Sequence, residues 1–159
     1  MRRRQAVRAL ILSEPDESVL LLRMLRPDRA GHFWLLPGGG IKPDEDRLDA
    51  LRREVWEETG LRVGGVPRLL WRRTHSFGRG GKATEQHEDI YLVLARRFEP
   101  TARHNPEPSE VGIFREFRWW SVQALAGAAS ERFAPRTLPL LVKGLVADGP
   151  PPRPVSLRD

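Results

Sequence analysis

Gly38-Gly39-Gly40-Ile41-Lys42-Pro43-Asp44-Glu45 runs on through Asp46 to Ala50 and into Leu51-Arg52-Arg53-Glu54-Val55-Trp56-Glu57-Glu58-Thr59-Gly60-Leu61. This stretch decides how the rest of the chain is read. The glycines let backbone come close to a phosphate or a cation where side chains would stand in the way. Asp44 is placed to cap a helix predicted over about 45–59, and Glu45 and Asp46 suit its positive first turn. Leu48, Leu51 and Val55 recur at helical spacing and are predicted to face the core. Gly60 stands where a left-handed residue ends a helix.

On that helix Glu54, Glu57 and Glu58 stand at i, i+3 and i+4, so their carboxylates share one face and repel unless a positive charge lies among them. Oxygen donors with no Cys or His close by select Mg²⁺ or Mn²⁺ over zinc. A solvated acidic face balanced by Arg47, Arg52 and Arg53 is the plainer alternative for the glutamates taken alone.

Outward from this stretch, residues 5–12 and 18–25 are apolar runs separated by Glu14-Pro15-Asp16-Glu17, and they read as paired strands. A short extended run, His32 to Leu36, ends at Pro37. Beyond the helix, Pro67–Phe77 and Asp89–Phe98 are predicted strands flanking a basic tip, Gly78-Arg79-Gly80-Gly81-Lys82. The apolar run Ile90–Ala95 suits a central strand. A proline-containing loop follows from Glu99 to Glu110, long enough to suggest a function. Phe114–Ser121 reads as a strand, Val122–Ala129 as a short helix, and Pro135–Ala147 as a last helix with Leu138, Leu141, Val142 and Leu145 on one face. Pro150-Pro151-Pro152-Arg153-Pro154 is predicted to be an extended tail without ladders.

At 159 residues the chain most economically forms one domain, residues 1–149, followed by the tail, 150–159. The absence of cysteine rules out disulfides and thiolate metal sites and fits a reducing, cytoplasmic setting. The apolar run after Met1-Arg2-Arg3-Arg4 is too short for a secretory core or a membrane span, so no membrane partner is expected. A net charge of +6 attracts phosphates, nucleic acid or anionic lipid without choosing among them. The arginines are scattered along the chain rather than clustered, as a generally arginine-rich composition would also give.

Gly39, five residues, Glu45, seven residues, Arg53-Glu54, apolar Val55, one residue, Glu57-Glu58, one residue, Gly60 and apolar Leu61 fill a fixed pattern over 23 residues. The pattern resembles the signature box of the Nudix hydrolases. A looser likeness continues outside it, through Trp34-Leu35-Leu36-Pro37-Gly38-Gly39, the hairpin and the Trp-containing strand. The resemblance implies an α/β/α sandwich around a mixed β-sheet. It also implies metal-dependent attack of water on a diphosphate linkage in a nucleoside diphosphate derivative or nucleoside triphosphate. By that resemblance Glu54, Glu57 and Glu58, with the carbonyl of Gly39, hold Mg²⁺ or Mn²⁺. Glu54 is the base, Arg53 orients it, Glu57 shares the catalytic work, and Glu45 holds the loop–helix junction. The box often carries Glu where this chain has Lys42 and Gly where it has Asp44.

Outside the box, Arg23, Trp34 and Arg79 are candidates for binding substrate, and Glu110 and Glu116 for an additional base or ligand. Each has a plainer alternative: strand-edge arginines protected by charge, a core tryptophan, an ordinary loop or strand carboxylate. Trp119 and Trp120 are predicted to point to opposite faces. His75 and His87 are either part of a His-carboxylate zinc site or lone surface histidines. Two further readings stay open: a catalytically silent nucleotide or sugar-nucleotide sensor, and a pyrophosphohydrolase of the RNA 5′ end. A small-molecule nucleotide is the expected partner, and a homodimer is among the open oligomeric states.

Overall fold

A computed structural model describes residues 2–79, 81–106 and 112–158. In chain order the elements are β1 (Arg2–Ser13), β2 (Ser18–Leu25), β3 (His32–Leu35), β4 (Gly38–Gly40), α1 (Arg47–Thr59), β5 (Arg68–Arg79), β6 (Lys82–Leu94), β7 (Phe114–Ser121), α2 (Val122–Ala126), β8 (Phe133–Ala134), α3 (Leu138–Asp148) and β9 (Val155–Leu157). The sheet runs β8-β3-β2-β1-β6-β5-β9, with β4 paired to β1 and β7 to β2. It is mixed, since β1 is parallel to β6 but antiparallel to β2 and β4.

Strand alternation separates two cores. Val7, Ala9, Ile11 and Leu20 pack with Ala50, Leu51 and Val55 of α1. On the other face Leu10, Leu12, Val19 and Leu21 pack with Leu138, Val142 and Leu145 of α3. This is the expected α/β/α sandwich. Leu51 is fully buried, so truncating it to alanine removes roughly 2–5 kcal/mol. Trp120 lies in one core and Trp119 packs against the other, as two successive strand residues must.

β1 is shared between two partners along its length. Its end pairs with β2 at Leu12↔Val19, while Ala6, Val7 and Arg8 pair with Gly40, Gly39 and Gly38. The glycine strand is therefore pinned to the sheet directly before α1. That pinning fixes where the box carboxylates meet backbone.

Four boundaries differ from the sequence expectation. Asp46, with extended φ and ψ of −69° and 148°, precedes the helix instead of Asp44. Asp44 is in the left-handed region at φ 65°. There Glu45 N donates to Lys42 O at 3.1 Å, closing a turn that takes Asp44 out of the capping position. β6 starts at Lys82 rather than Asp89, because Thr84 to Asp89 pairs on both sides, with β1 and with β5. α2 is shorter than the predicted helix, ending at Ala126. Residues beyond Pro154 are not a free tail: Val155–Leu157 forms β9 alongside Trp71, Arg72 and Arg73, the register starting once the prolines no longer remove backbone donors. Gly60 does end α1 in the left-handed conformation, φ 80°, with its N–H on Trp56 O at 2.9 Å.

Candidate active site

Arg53 is the hub of the box. Its Nε and Nη2 donate to the two oxygens of Glu45 at 2.8 and 2.9 Å, a bidentate fork. Nη2 also donates to Gly40 O at 3.0 Å, and Nη1 to Glu54 Oε1 at 2.9 Å and Glu57 Oε2 at 3.4 Å. One planar cation thus ties the turn, the glycine strand and two carboxylates of the helix together. The hydrogen bonds from Arg53, helped by the Lys42 amide, lower the Glu45 carboxyl to about 2. The same hydrogen bonds hold Arg53 above the usual arginine range.

The glycine strand makes room for the carboxylates. A Cβ on Gly39 would stand 2.7 Å from the carboxylate of Glu54. Gly38 is at φ 149°, and a Cβ there would sit 2.1 Å from Val7 O, so no side chain fits between this strand and β1. The Gly38 N–H donates to Glu58 Oε2 at 2.5 Å. Glu54 and Glu58 are buried, at 9% and 7% exposure. The helix therefore presses two acidic groups against backbone, as its spacing predicts.

Glu54, Glu57 and Glu58 are brought to the glycine strand or to Arg53, but among the described residues no three Asp, Glu or His side chains converge on one point as a preformed cation cage. Arg53 supplies the positive charge between Glu54 and Glu57, and Glu58 is turned to the Gly38 amide. The donors in reach are carboxylates and the carbonyl of a glycine that admits close approach, an all-oxygen set that fits Mg²⁺ or Mn²⁺.

Behind the glycine strand lies a group that sequence reading missed. Arg8 Nε donates to Glu88 Oε2, and Arg8 Nη1 reaches Leu36 O at 3.1 Å and Gly38 O at 3.3 Å. Arg73 Nη1 donates to the other Glu88 oxygen at 2.9 Å, and Gln86 Nε2 to Oε2 at 2.9 Å. Burial alone would raise the Glu88 carboxyl, but the charge of Arg8 and hydrogen bonds from His75, Arg8 and Arg73 bring it far below the usual carboxylate range. The signal available in the sequence was the alternation of Gln86 and Glu88 with Ile90 in a strand, matched by Arg8 in β1.

The remaining candidates are placed as follows. Trp34 is 0% exposed, edge-on to Trp120 with ring centroids 5.0 Å apart, so it fills the core and is not a stacking platform for substrate. Arg23 and Glu116 pair with each other across β2 and β7 at 3.4 Å, and Arg118 shares Glu116 at 3.3 Å. These two arginines, rather than the box, engage Glu116. The side chain of Arg79 and the whole of Glu110 lie outside the described residues. His75 and His87 do not come together: His75 pairs with Gln86 in register, while His87 binds Glu85 at 2.7 Å and Thr74 at 3.1 Å. Trp56 is stacked on His104 at 4.1 Å with Arg62 on the ring at 4.3 Å. That contact and Thr101 N to Thr59 O at 3.0 Å hold the start of the long loop against the end of α1.

The NUDIX domain family matches residues 2–141 of the chain. The m7GpppN-mRNA hydrolase NUDT17 of Homo sapiens is 29% identical over 147 residues, covering 86% of this chain and 44% of that protein. Diphosphoinositol polyphosphate phosphohydrolase 3-alpha of Homo sapiens is 46% identical over 59 residues, covering 36% of this chain and 33% of that protein. The chain thus spans less than half the length of these curated relatives. Among solved structures, the MutT NUDIX hydrolase from Burkholderia pseudomallei is 27% identical with a TM-score of 0.60, covering 77% of this chain and 86% of that one. The MutT protein from Methanosarcina mazei Go1 shares the fold at a TM-score of 0.66 and 24% identity, covering 89% of this chain and 94% of that one. With a complete box seated on the glycine strand and the family matched along most of its length, the chain belongs to the NUDIX domain family.

Proposed function

We propose that the protein is a Mg²⁺- or Mn²⁺-dependent pyrophosphohydrolase that cleaves a diphosphate linkage in a nucleoside diphosphate derivative or nucleoside triphosphate by attack of water. The observation that carries this reading is the set of hydrogen bonds from Arg53 to Glu45, Glu54, Glu57 and Gly40 O, which fixes an acidic helix face against bare backbone. Glu54, Glu57, Glu58 and the Gly39 carbonyl would hold the cation, which when bound neutralises charge on the phosphoryl oxygens. Glu54 takes the proton of the attacking water at its carboxylate. Arg53 orients that carboxylate through Oε1. Glu45 keeps Arg53 in place and is ionised throughout the neutral range. All four box glutamates are present, which argues against a silent sensor.

A second reading is supported by the name of one relative, an m7GpppN-mRNA hydrolase, and by the net charge of +6: the diphosphate belongs to the 5′ end of RNA. The two separate by salt dependence, because a protein that neutralises many RNA phosphates loses affinity steeply with salt and a small-nucleotide hydrolase does not. The experiment is a chromatographic screen for the two cleavage products, with Mg²⁺ and Mn²⁺, across nucleoside triphosphates, ADP-ribose, nucleotide sugars, dinucleotides and capped or 5′-triphosphate RNA at two salt concentrations. Turnover of a small nucleotide with little salt effect supports the first reading. Turnover confined to RNA and lost with salt supports the second, and cleavage of none of the substrates contradicts both. The absence of cysteine is compatible with work in the cytoplasm, and no described helix is long and apolar enough to cross a membrane.

A further inference from the structure

Arg4 lies flat against the glycine strand. A Cβ on Gly40 would stand 2.8 Å from Arg4 Nη2, 3.1 Å from Nε and 3.3 Å from Cζ, so its three nearest neighbours all belong to one guanidinium. The strand register accounts for this. Gly40 pairs with Ala6, and Arg4, two residues earlier in β1, projects from the same face. Gly39 faces the other way, onto the carboxylate of Glu54. The bare strand therefore has the acidic helix on one face and an arginine on the other, with no side chain of its own between them.

The guanidinium is held there by a neutral partner. Arg4 Nη1 donates to Gln86 Oε1 at 2.6 Å, and Gln86 is 2% exposed, its own amide nitrogen donating to Glu88 at 2.9 Å. The neighbouring carboxylates are already engaged, Glu88 by Arg8 and Arg73 and Glu85 by His87 at 2.7 Å. Arg4 itself is exposed. A cation that only guards a sheet extends into water, where its charge is solvated. Arg4 lies on backbone instead, oriented by a buried amide, and among the described residues no carboxylate pairs with it.

We propose that Arg4 is a substrate-binding residue whose guanidinium takes phosphoryl oxygens of the scissile diphosphate, on the face of the glycine strand opposite α1. This rests on the pyrophosphohydrolase reading and adds to it a binding group outside the box. Nε and Nη2 are the nitrogens that Gln86 leaves to a ligand, and a planar fork suits two phosphate oxygens at once. Arg53 does not serve this purpose, since its nitrogens are engaged with Glu45, Glu54, Glu57 and Gly40 O. Gly40 is bare so that Arg4 has a seat: its φ is outside the left-handed region, so a side chain there displaces the guanidinium without straining the backbone.

The test uses the full chain and imidodiphosphate, a diphosphate whose bridging oxygen is replaced by NH, titrated calorimetrically with Mg²⁺ present. Arg4→Gln is expected to weaken its binding about tenfold, and Arg4→Lys, which keeps the charge and loses the fork, about threefold. Gly40→Ala is expected to weaken it in the parent but to add less than about twofold in the Arg4→Gln background, because both changes remove one contact. Arg96→Gln, the same loss of charge at an exposed site beyond the far end of β6, is expected to change affinity less than about twofold. Mn²⁺ affinity without imidodiphosphate is expected to be the same in Arg4→Gln as in the parent, and turnover by that variant to show a raised KM with kcat little changed. No binding of imidodiphosphate by the parent, parental affinity in Arg4→Gln, equal weakening by Arg96→Gln, additive losses for Arg4→Gln and Gly40→Ala, or a parallel loss of Mn²⁺ affinity would each overturn the proposal. Circular dichroism checks folding, and Arg4→Lys serves if Arg4→Gln is not folded. Arg4-dependent binding by a parent that cleaves no substrate in the product screen removes the reaction assignment and leaves the binding residue standing. Cleavage by a parent whose Arg4→Gln variant binds and turns over equally well removes Arg4 and leaves the reaction.

Discussion

Arg8 and Glu88, eighty positions apart in the chain, form an ion pair inside the sheet between β1 and β6, and the same arginine reaches over to the carbonyl of Gly38. The glutamate is 1% exposed and the arginine 9% exposed. A pair withdrawn this far from water is held by its geometry, and removing one member leaves the other charge buried.

Glu88→Gln is accordingly expected to destabilise the fold by roughly 3–5 kcal/mol, read from urea denaturation, because Arg8 and Arg73 both lose their anion. Replacing Arg8 and Glu88 together by Met and Leu is expected to recover part of that stability. It is not expected to recover turnover, since the Gly38 and Leu36 carbonyls then have no guanidinium behind them. A double variant with full activity would show that the pair supports the sheet alone.

Gly39→Ala is expected to lower kcat at least a hundredfold while the thermal midpoint moves only a few degrees. The added carbon would meet the Glu54 carboxylate at 2.7 Å, and the backbone at this position is not in the left-handed region. Steady-state kinetics together with a melting curve separate a displaced carboxylate from a damaged fold.

The pH dependence of stability carries the Glu45–Arg53 contact. The folded carboxyl is depressed to about 2 from an ordinary value of 4.5, so its contribution is complete above about pH 4.5 and disappears as the pH falls toward 2. Glu45→Gln is expected to flatten the stability curve in that window and to leave its slope above pH 5 unchanged. An unaltered acid limb in the variant would mean that Arg53 does not stabilise the ionised form.

Asp44→Gly is expected to raise stability by about 0.5–1 kcal/mol, because Asp44 is held at φ 65°, where a Cβ is strained and a glycine is not. Chemical denaturation of the two proteins side by side measures it. The turn also accounts physically for a glycine being common at this box position, which composition and spacing could not have told.

The box was legible because its chemistry is local. Gly39, Glu45, Arg53, Glu54, Glu57 and Glu58 are spaced by one turn and one helix, so a periodicity of 3.6 and a rule about glycine place them without any knowledge of the sheet. Arg8, Arg73 and Glu88 were not legible, since their meeting depends on which strands are neighbours, and β1 reaches β6 only by a parallel crossover. Their polarity also hid the strand itself: Gln86 and Glu88 fill buried positions normally held by apolar side chains, so β6 read as loop until Asp89. Trp34 misled for the opposite reason. A tryptophan beside the glycines suits a base-stacking role, yet the alternation of β3 turns it into the core beside Trp120.

The short ladder at Val155–Leu157 was hidden by what precedes it. Prolines end regular hydrogen bonding up to residue 154, and nothing local tells that the chain then rejoins the edge of β5. Asp44 likewise met every rule for a cap, and only the turn at Lys42 to Glu45 leaves it two positions short of the cap, which Asp46 takes.

In the proposed reaction Glu54 is the residue on which hydrolysis turns. Single-turnover hydrolysis of the best substrate found in the product screen, by Glu54→Gln with saturating Mg²⁺, is the most direct measurement. A fall of about a hundredfold to ten-thousandfold with the circular dichroism spectrum unchanged is expected for loss of a base that also holds the cation. Hydrolysis at the parent rate would contradict the assignment of the box as the catalytic centre.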